Sequence, residues 1–149
     1  MIKYAENREH IISLWAEAFG DSREDILFFN DNVKDAKCLM YYFGDRPASM
    51  MYLVPCMIDG CEFQYIYAAC TAKVYEGRGF MTDLIRYCLD SGIRVCLIPA
   101  SDSLIDYYSK REINHQVPID SLIFHQIPAI EEYLFEGYDL TIPTALRSK

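Results

Sequence analysis

The sequence has no cluster of positive charge. Its 14 Lys and Arg stand against 22 Asp and Glu, a formal net charge of -8. Holding a nucleic-acid backbone needs concentrated cations, so no nucleic-acid partner is expected. No apolar run approaches the roughly 20 residues of a membrane-spanning helix, so no membrane partner is expected either. The start, Met1-Ile2-Lys3-Tyr4-Ala5-Glu6-Asn7, lacks the basic and apolar stretches of a secretory signal, and a cytoplasmic location is the expectation. No C-x-x-C pair occurs among the six cysteines, at 38, 56, 61, 70, 88 and 96. Metal-ligand and redox spacing is missing, so no metal is expected and these residues read as small buried hydrophobes without disulfides. Internal repeats, low-complexity tracts and linkers are also absent. A length of 149 residues then fits one domain, 1–149, with a core of its own.

Apolar and aromatic residues are what the chain does have. Hydrophobic residues reach 52%, with 12 Tyr and 8 Phe, which predicts an aromatic core. Ile11, Leu14, Trp15, Ala18 and Phe19 recur at helical spacing and predict a helix over 7–19, stopped by Gly20. Ser22 caps a second helix, with Asp25 three residues on. Strands are predicted over 38–43, 49–58 and 62–71, turned by Gly44-Asp45 and Asp59-Gly60, as a β-meander. Met81, Leu84, Ile85, Cys88 and Leu89 predict a further helix, followed by a short strand over 94–98. A helix crossover between these strands predicts a parallel pairing. Pro99 stops that strand, and Ser101 or Asp102 caps a helix running to about Lys110. Strands over 113–117 and 122–126 and a helix over 127–135 complete the pattern. The tail from 139 to 149 has no periodicity and reads as irregular.

Chemistry concentrates at Glu76-Gly77-Arg78-Gly79-Phe80-Met81, between a strand and a helix. The first N–H groups of a helix have no internal partner, and the helix dipole adds partial positive charge there. Glycine lets the main chain approach an anion closely, and Arg78 adds a forked cationic donor. The spacing fits neither a Walker loop nor a dinucleotide fingerprint, since Thr82 stands where each would need another residue.

From Tyr65 to Met81 the sequence resembles the fourth strand, pyrophosphate loop and third helix of the GNAT acetyltransferases, whose motif is Arg/Gln-x-x-Gly-x-Gly/Ala. Leu97 to Lys110 resembles their fifth strand and a helix ending in Phe/Tyr-Tyr-x-Lys-x-Gly-Phe. The resemblance implies an α/β fold: a mixed, mostly antiparallel sheet flanked by helices, with a parallel βαβ step at the acetyl-CoA site. It implies acetyl-CoA as cosubstrate, aligned by the main chain of Ala69, Cys70 and Thr71. Gly77, Arg78, Gly79, Phe80 and Met81 would cradle its pyrophosphate. It also implies Tyr108 as the catalytic group at the leaving thiolate, with Tyr107 as its neighbour. The implied reaction is N-acetyl transfer to a primary amine, of a small molecule or a protein, by direct attack in a ternary complex. An acidic body would steer a cationic amine toward it.

Met81 stands where the family often has Gly or Ala, a mild departure because Met keeps the main-chain N–H. Glu76 puts a carboxylate where Arg or Gln is usual, and Arg111-Glu112-Ile113 replaces x-Gly-Phe. These favour the alternative, a non-catalytic acyl-CoA-binding or protein-interaction module. Glu62, His115 and His125 are the titratable groups weighed as a base, and Cys70 reads as strand packing rather than a nucleophile. Tyr133, Phe135 and Tyr138 leave a homodimer open.

Overall fold

Asn7 and Ser22 start the first two helices as sequence chemistry predicts. The Asn7 side chain accepts from the Glu9 N–H at 2.9 Å, and the Ser22 hydroxyl accepts from the Asp25 N–H at 3.1 Å. A computed structural model describes every residue from Met1 to Lys149. Helix α1 spans Arg8–Phe19 and ends at Gly20, whose φ of 72° closes the last turn. Its buried face is Ile11, Ile12, Leu14 and Trp15; Ala18 and Phe19 of the predicted stripe are exposed at its end. Helix α2 spans Arg23–Asn32 and buries Ile26 and Phe29.

A seven-stranded sheet carries these helices. Its strands are β1 (Ile2–Tyr4), β2 (Lys37–Phe43), β3 (Arg46–Ile58), β4 (Cys61–Thr71), β5 (Val95–Leu97), β6 (His115–Val117) and β7 (Ala145–Arg147). They lie in the order β1-β2-β3-β4-β5-β7-β6, with β4–β5 parallel and the other pairs antiparallel. The mixed, mostly antiparallel sheet and its single parallel step are those expected. Helix α3 (Phe80–Asp90) makes the crossover, α4 (Asp102–Ser109) follows β5, and α5 (Pro128–Leu134) precedes the last strand.

Strand alternation divides the core. Met40, Met50, Tyr52 and Val54 pack with α1 and α2 on one face, while Leu39, Met51 and Leu53 pack with Leu84, Ile85 and Cys88 of α3 on the other. Five of the six cysteines are buried and all are free.

Two predicted elements need correction. The tail is not irregular throughout: Ala145–Arg147 is β7, wedged between β5 and β6 with Ala145 and Leu146 fully buried. The segment 122–126 is not a strand; it meets β3 only through the mutual Met57–Ile123 hydrogen bonds. β7 takes the place beside β6 that this segment was expected to fill.

Candidate functional site

Strand β4 changes phase in its middle. Phe63, Tyr65 and Tyr67 face the α1–α2 side, then Ala68 adopts φ 53°, and thereafter Cys70 and Ala72 face that side. The register against β3 slips at the same place, between Met50 and Tyr52. This is a bulge: one extra residue turns every later side chain over. The hydrogen-bonding edges turn with it. The Gln64 N–H bonds to Arg94 O toward β5, whereas the Ala72 N–H bonds to Ala48 O toward β3. With a two-residue period, Cys70 shares the β3 side, and Ala69 and Thr71 present their main chain to the opposite edge.

That edge is open because β4 and β5 part. Their pairing is confined to Gln64–Val95 and Tyr65–Cys96. Beyond it lies a cavity of about 380 Å³ at the divergence of the strands. Ala69, Leu104 and Tyr108 line it on the α3–α4 side, and Trp15, Tyr67 and Leu134 on the α1–α5 side, so both faces of the sheet contribute.

Tyr108 is positioned by the end of α4. Its carbonyl accepts from Arg111 N–H at 3.0 Å and from Ile113 N–H at 3.1 Å. Glu112 sits between them with φ 69°, the left-handed conformation that glycine would hold in the family motif. Its carboxylate lies 2.6 Å from Arg86, and Ile113 is fully buried where the motif has Phe. The turn therefore survives the altered residues. Arg111 stacks 3.6 Å over the Tyr107 ring and bonds the Tyr107 carbonyl and Thr82 hydroxyl. Tyr107 is thereby occupied, while Tyr108 lines the cavity. Every buried side-chain oxygen or nitrogen has a partner, and no protein group bonds the Tyr108 hydroxyl, so that hydroxyl opens to the cavity. Burial, then the neighbouring Tyr107, push its pKa up to about 12.

The glycine loop leaves a run of main-chain N–H groups without partners. The Glu76 N–H bonds to Lys73 O and the Asp83 N–H to Gly79 O; from Gly77 to Thr82 no main-chain N–H donates within the protein. Gly77 and Gly79 have φ of 76° and 81°, and the space where their side chains would stand is empty. Arg78 rests 5.5 Å from the ring centres of both Phe43 and Tyr75, beside the loop. Phe80 anchors the helix start by stacking on Tyr41, with centroids 4.1 Å apart. Met81 packs its side chain on the α3 face of the core and leaves its N–H to the loop. Glu76 is exposed and takes part in no ion pair.

Other predicted residues lie elsewhere. The Cys70 thiol is packed in the α1–α2 core, 3.8 Å from Leu14 O, and burial pushes it up to about 12, unfit as a nucleophile. Its carbonyl accepts from the buried Ser49 hydroxyl, which also pairs with Thr71 Oγ1 at 2.9 Å. Glu62 lines a separate cleft of about 630 Å³ at the far end of β4. His115 and His125 are exposed and line neither cavity. Sequence reasoning missed Asp21 and Glu136, the two charged residues of the central cavity. They come from a loop and from the segment after α5, so no spacing connects them.

No family model matches the sequence, and no curated protein matches it. Solved structures do. Escherichia coli ElaA superposes with a TM-score of 0.62 over 100% of this chain and 99% of its own, at 13% identity. A Bacillus subtilis acetyltransferase in complex with CoA gives 0.56 over 98% and 94%, at 14% identity. A Pyrococcus horikoshii protein assigned as an acetyltransferase shares 24% identity with a TM-score of 0.57, covering 74% of this chain. This chain spans only 41% of that protein, and 31% and 16% of two other chains it resembles. The likeness is one of fold: the chain has the fold of the GNAT acetyltransferases.

Proposed function

We propose that this protein transfers an acetyl group from acetyl-CoA to a primary amine in a ternary complex. The observation that carries the reading is the parting of β4 from β5 beside the loop from Gly77 to Thr82 with its six undonated N–H groups. One feature offers an edge for an extended amide-bearing arm and the other a cradle for a pyrophosphate, in the order along the chain that acetyl-CoA requires.

The residues present fit that cosubstrate. Ala69 and Thr71 turn their main-chain groups to the open edge, where a pantetheine arm would pair as a strand does. The cradle from Gly77 to Thr82 would hold the pyrophosphate through main-chain N–H groups and the start of α3. Tyr108 then stands in the cavity where the thioester would lie. The amine, having given its ammonium proton to water, attacks the acetyl carbon. The C–N bond forms, the C–S bond breaks as the thiolate leaves, and the nitrogen passes its second proton to solvent to leave the neutral amide.

A phenol held at about 12 is a weak acid toward a thiolate whose thiol has a pKa of about 8.5. Complete proton transfer would be uphill by roughly 5 kcal/mol. Tyr108 therefore acts chiefly by donating a hydrogen bond to sulfur as negative charge grows there, with the proton arriving from solvent. Its high pKa keeps that donor protonated at every working pH.

The test is direct. The protein is incubated with acetyl-CoA and pooled primary amines, and free thiol is followed while CoA binding is measured by calorimetry. Amine-dependent thiol release is expected. CoA binding with no release from any amine would favour a non-catalytic acyl-CoA-binding module instead.

A further inference from the structure

Tyr108 and the cradle serve the cosubstrate; the rest of the same cavity serves something else. Its wall on the α1–α5 side is aromatic, with Trp15, Tyr67 and Tyr138. Seventeen residues line the whole cavity, and fourteen are hydrophobic. The other three are Asp21, Glu136 and Gly137, so the cavity holds two carboxylates and no Lys, Arg or His.

The carboxylates differ in their restraint. Asp21 is fixed by the Trp15 indole, whose Nε1–H donates to Oδ2 at 2.8 Å. Neither Asp21 nor Glu136 has a basic partner, since the ion pairs of the chain are Arg8–Asp31, Arg23–Glu9, and Arg86 with Asp90 and Glu112. Both bear on Tyr67, whose hydroxyl is raised by burial first and then by Asp21 and Glu136. Unbalanced negative charge against an apolar wall calls for a cation, and aromatic rings add their own attraction for one.

We propose that the α1–α5 end of the cavity binds the acceptor as a small monocationic primary amine carried on an apolar, ring-bearing body with no acidic group. This deepens the transfer reading and rests on it for the word acceptor. Asp21 and Glu136 hold the ammonium, and the aromatic wall holds the body. A carboxylate or phosphate on the amine would meet two like charges with no cation in the cavity to offset them. A cavity of about 380 Å³ that must also admit a thioester arm suits a small molecule.

Trp15 is the single tryptophan of the chain, so its fluorescence reports on this wall. The probes are 2-phenylethylamine and phenylalanine, which differ by one carboxylate, titrated into the protein saturated with CoA. A saturable change is expected for 2-phenylethylamine, with affinity about a hundredfold above that for phenylalanine. Glu136→Gln should weaken 2-phenylethylamine about tenfold and leave CoA affinity unchanged. Equal affinity for the two probes, no saturable change with either, or an unaffected Glu136→Gln overturns the proposal. Acetylation confined to amines that carry a carboxylate or a peptide body also overturns it, while leaving acetyl transfer standing. Saturable amine binding without thiol release sinks the transfer reading and keeps the pocket.

Discussion

The Ile113 N–H donates to the Tyr108 carbonyl at 3.1 Å, across a turn whose middle residue, Glu112, is left-handed. The backbone of the residue whose hydroxyl faces the cavity is therefore held by a bond from a residue four positions beyond α4. An L-residue at φ 69° carries a cost of roughly 1–2 kcal/mol.

Helix-interior substitutions favour alanine over glycine; this left-handed position should reverse that order. Glu112→Ala keeps the strain and loses the Arg86 contact. Glu112→Gly loses the contact and the strain together. We expect the Gly variant to exceed the Ala variant by about 1 kcal/mol in urea denaturation.

Tyr108→Phe removes the hydroxyl and leaves the ring. Loss of one donor aimed at developing charge lowers kcat about a hundredfold. KM for acetyl-CoA should stay nearly constant, because the ring still packs and the cradle is untouched. Thiol release under saturating acetyl-CoA measures this. An equal drop in CoA affinity would show that Tyr108 acts by packing.

Glu76 lies beside the cradle, exposed and without a cationic partner. If this helix start takes the pyrophosphate as proposed, a carboxylate near it costs about 0.3–1 kcal/mol of binding. Glu76→Gln should therefore tighten CoA about two- to fivefold by calorimetry. An unchanged affinity would mean that this carboxylate points away from the phosphates.

Alkaline conditions should weaken the fold through its buried thiols. Burial pushes Cys70 up to about 12 and Cys88 up to about 11. A raised native pKa means stability that is complete below the unfolded thiol value, about 8.5, and is lost as pH rises through the native values. The urea midpoint at pH 10.5 is expected below that at pH 8. An unchanged midpoint would show that these thiols are less enclosed than the packing indicates.

What could be read in the sequence was local. The stripe from Met81 to Leu89, the pair Gly77 and Gly79, and the turn at Asp59-Gly60 each follow from chemistry within a few residues. Ala68 could not be read, because alanine gives no sign that it will stand at φ 53° and turn the strand over. β7 was illegible for another reason: three residues carry no period, and Arg147 finds its partner at Cys96 through the sheet. The cavity shows the same divide. Tyr108 lay within a motif, but Asp21 and Glu136 share a cavity only because the loop after α1 and the segment after α5 line the same space.

The N–H groups from Gly77 to Thr82 are dipoles with the single cation Arg78 beside them, while the body around them carries a net charge of -8. Dipoles act only at contact; the net charge acts at a distance. An incoming polyanion is thus repelled on approach and attracted on arrival. Added salt shortens the reach of that repulsion to about 10 Å at 0.1 M. CoA should then associate faster as ionic strength rises, while a cationic amine associates more slowly. The two Michaelis constants would move in opposite directions along a single salt series.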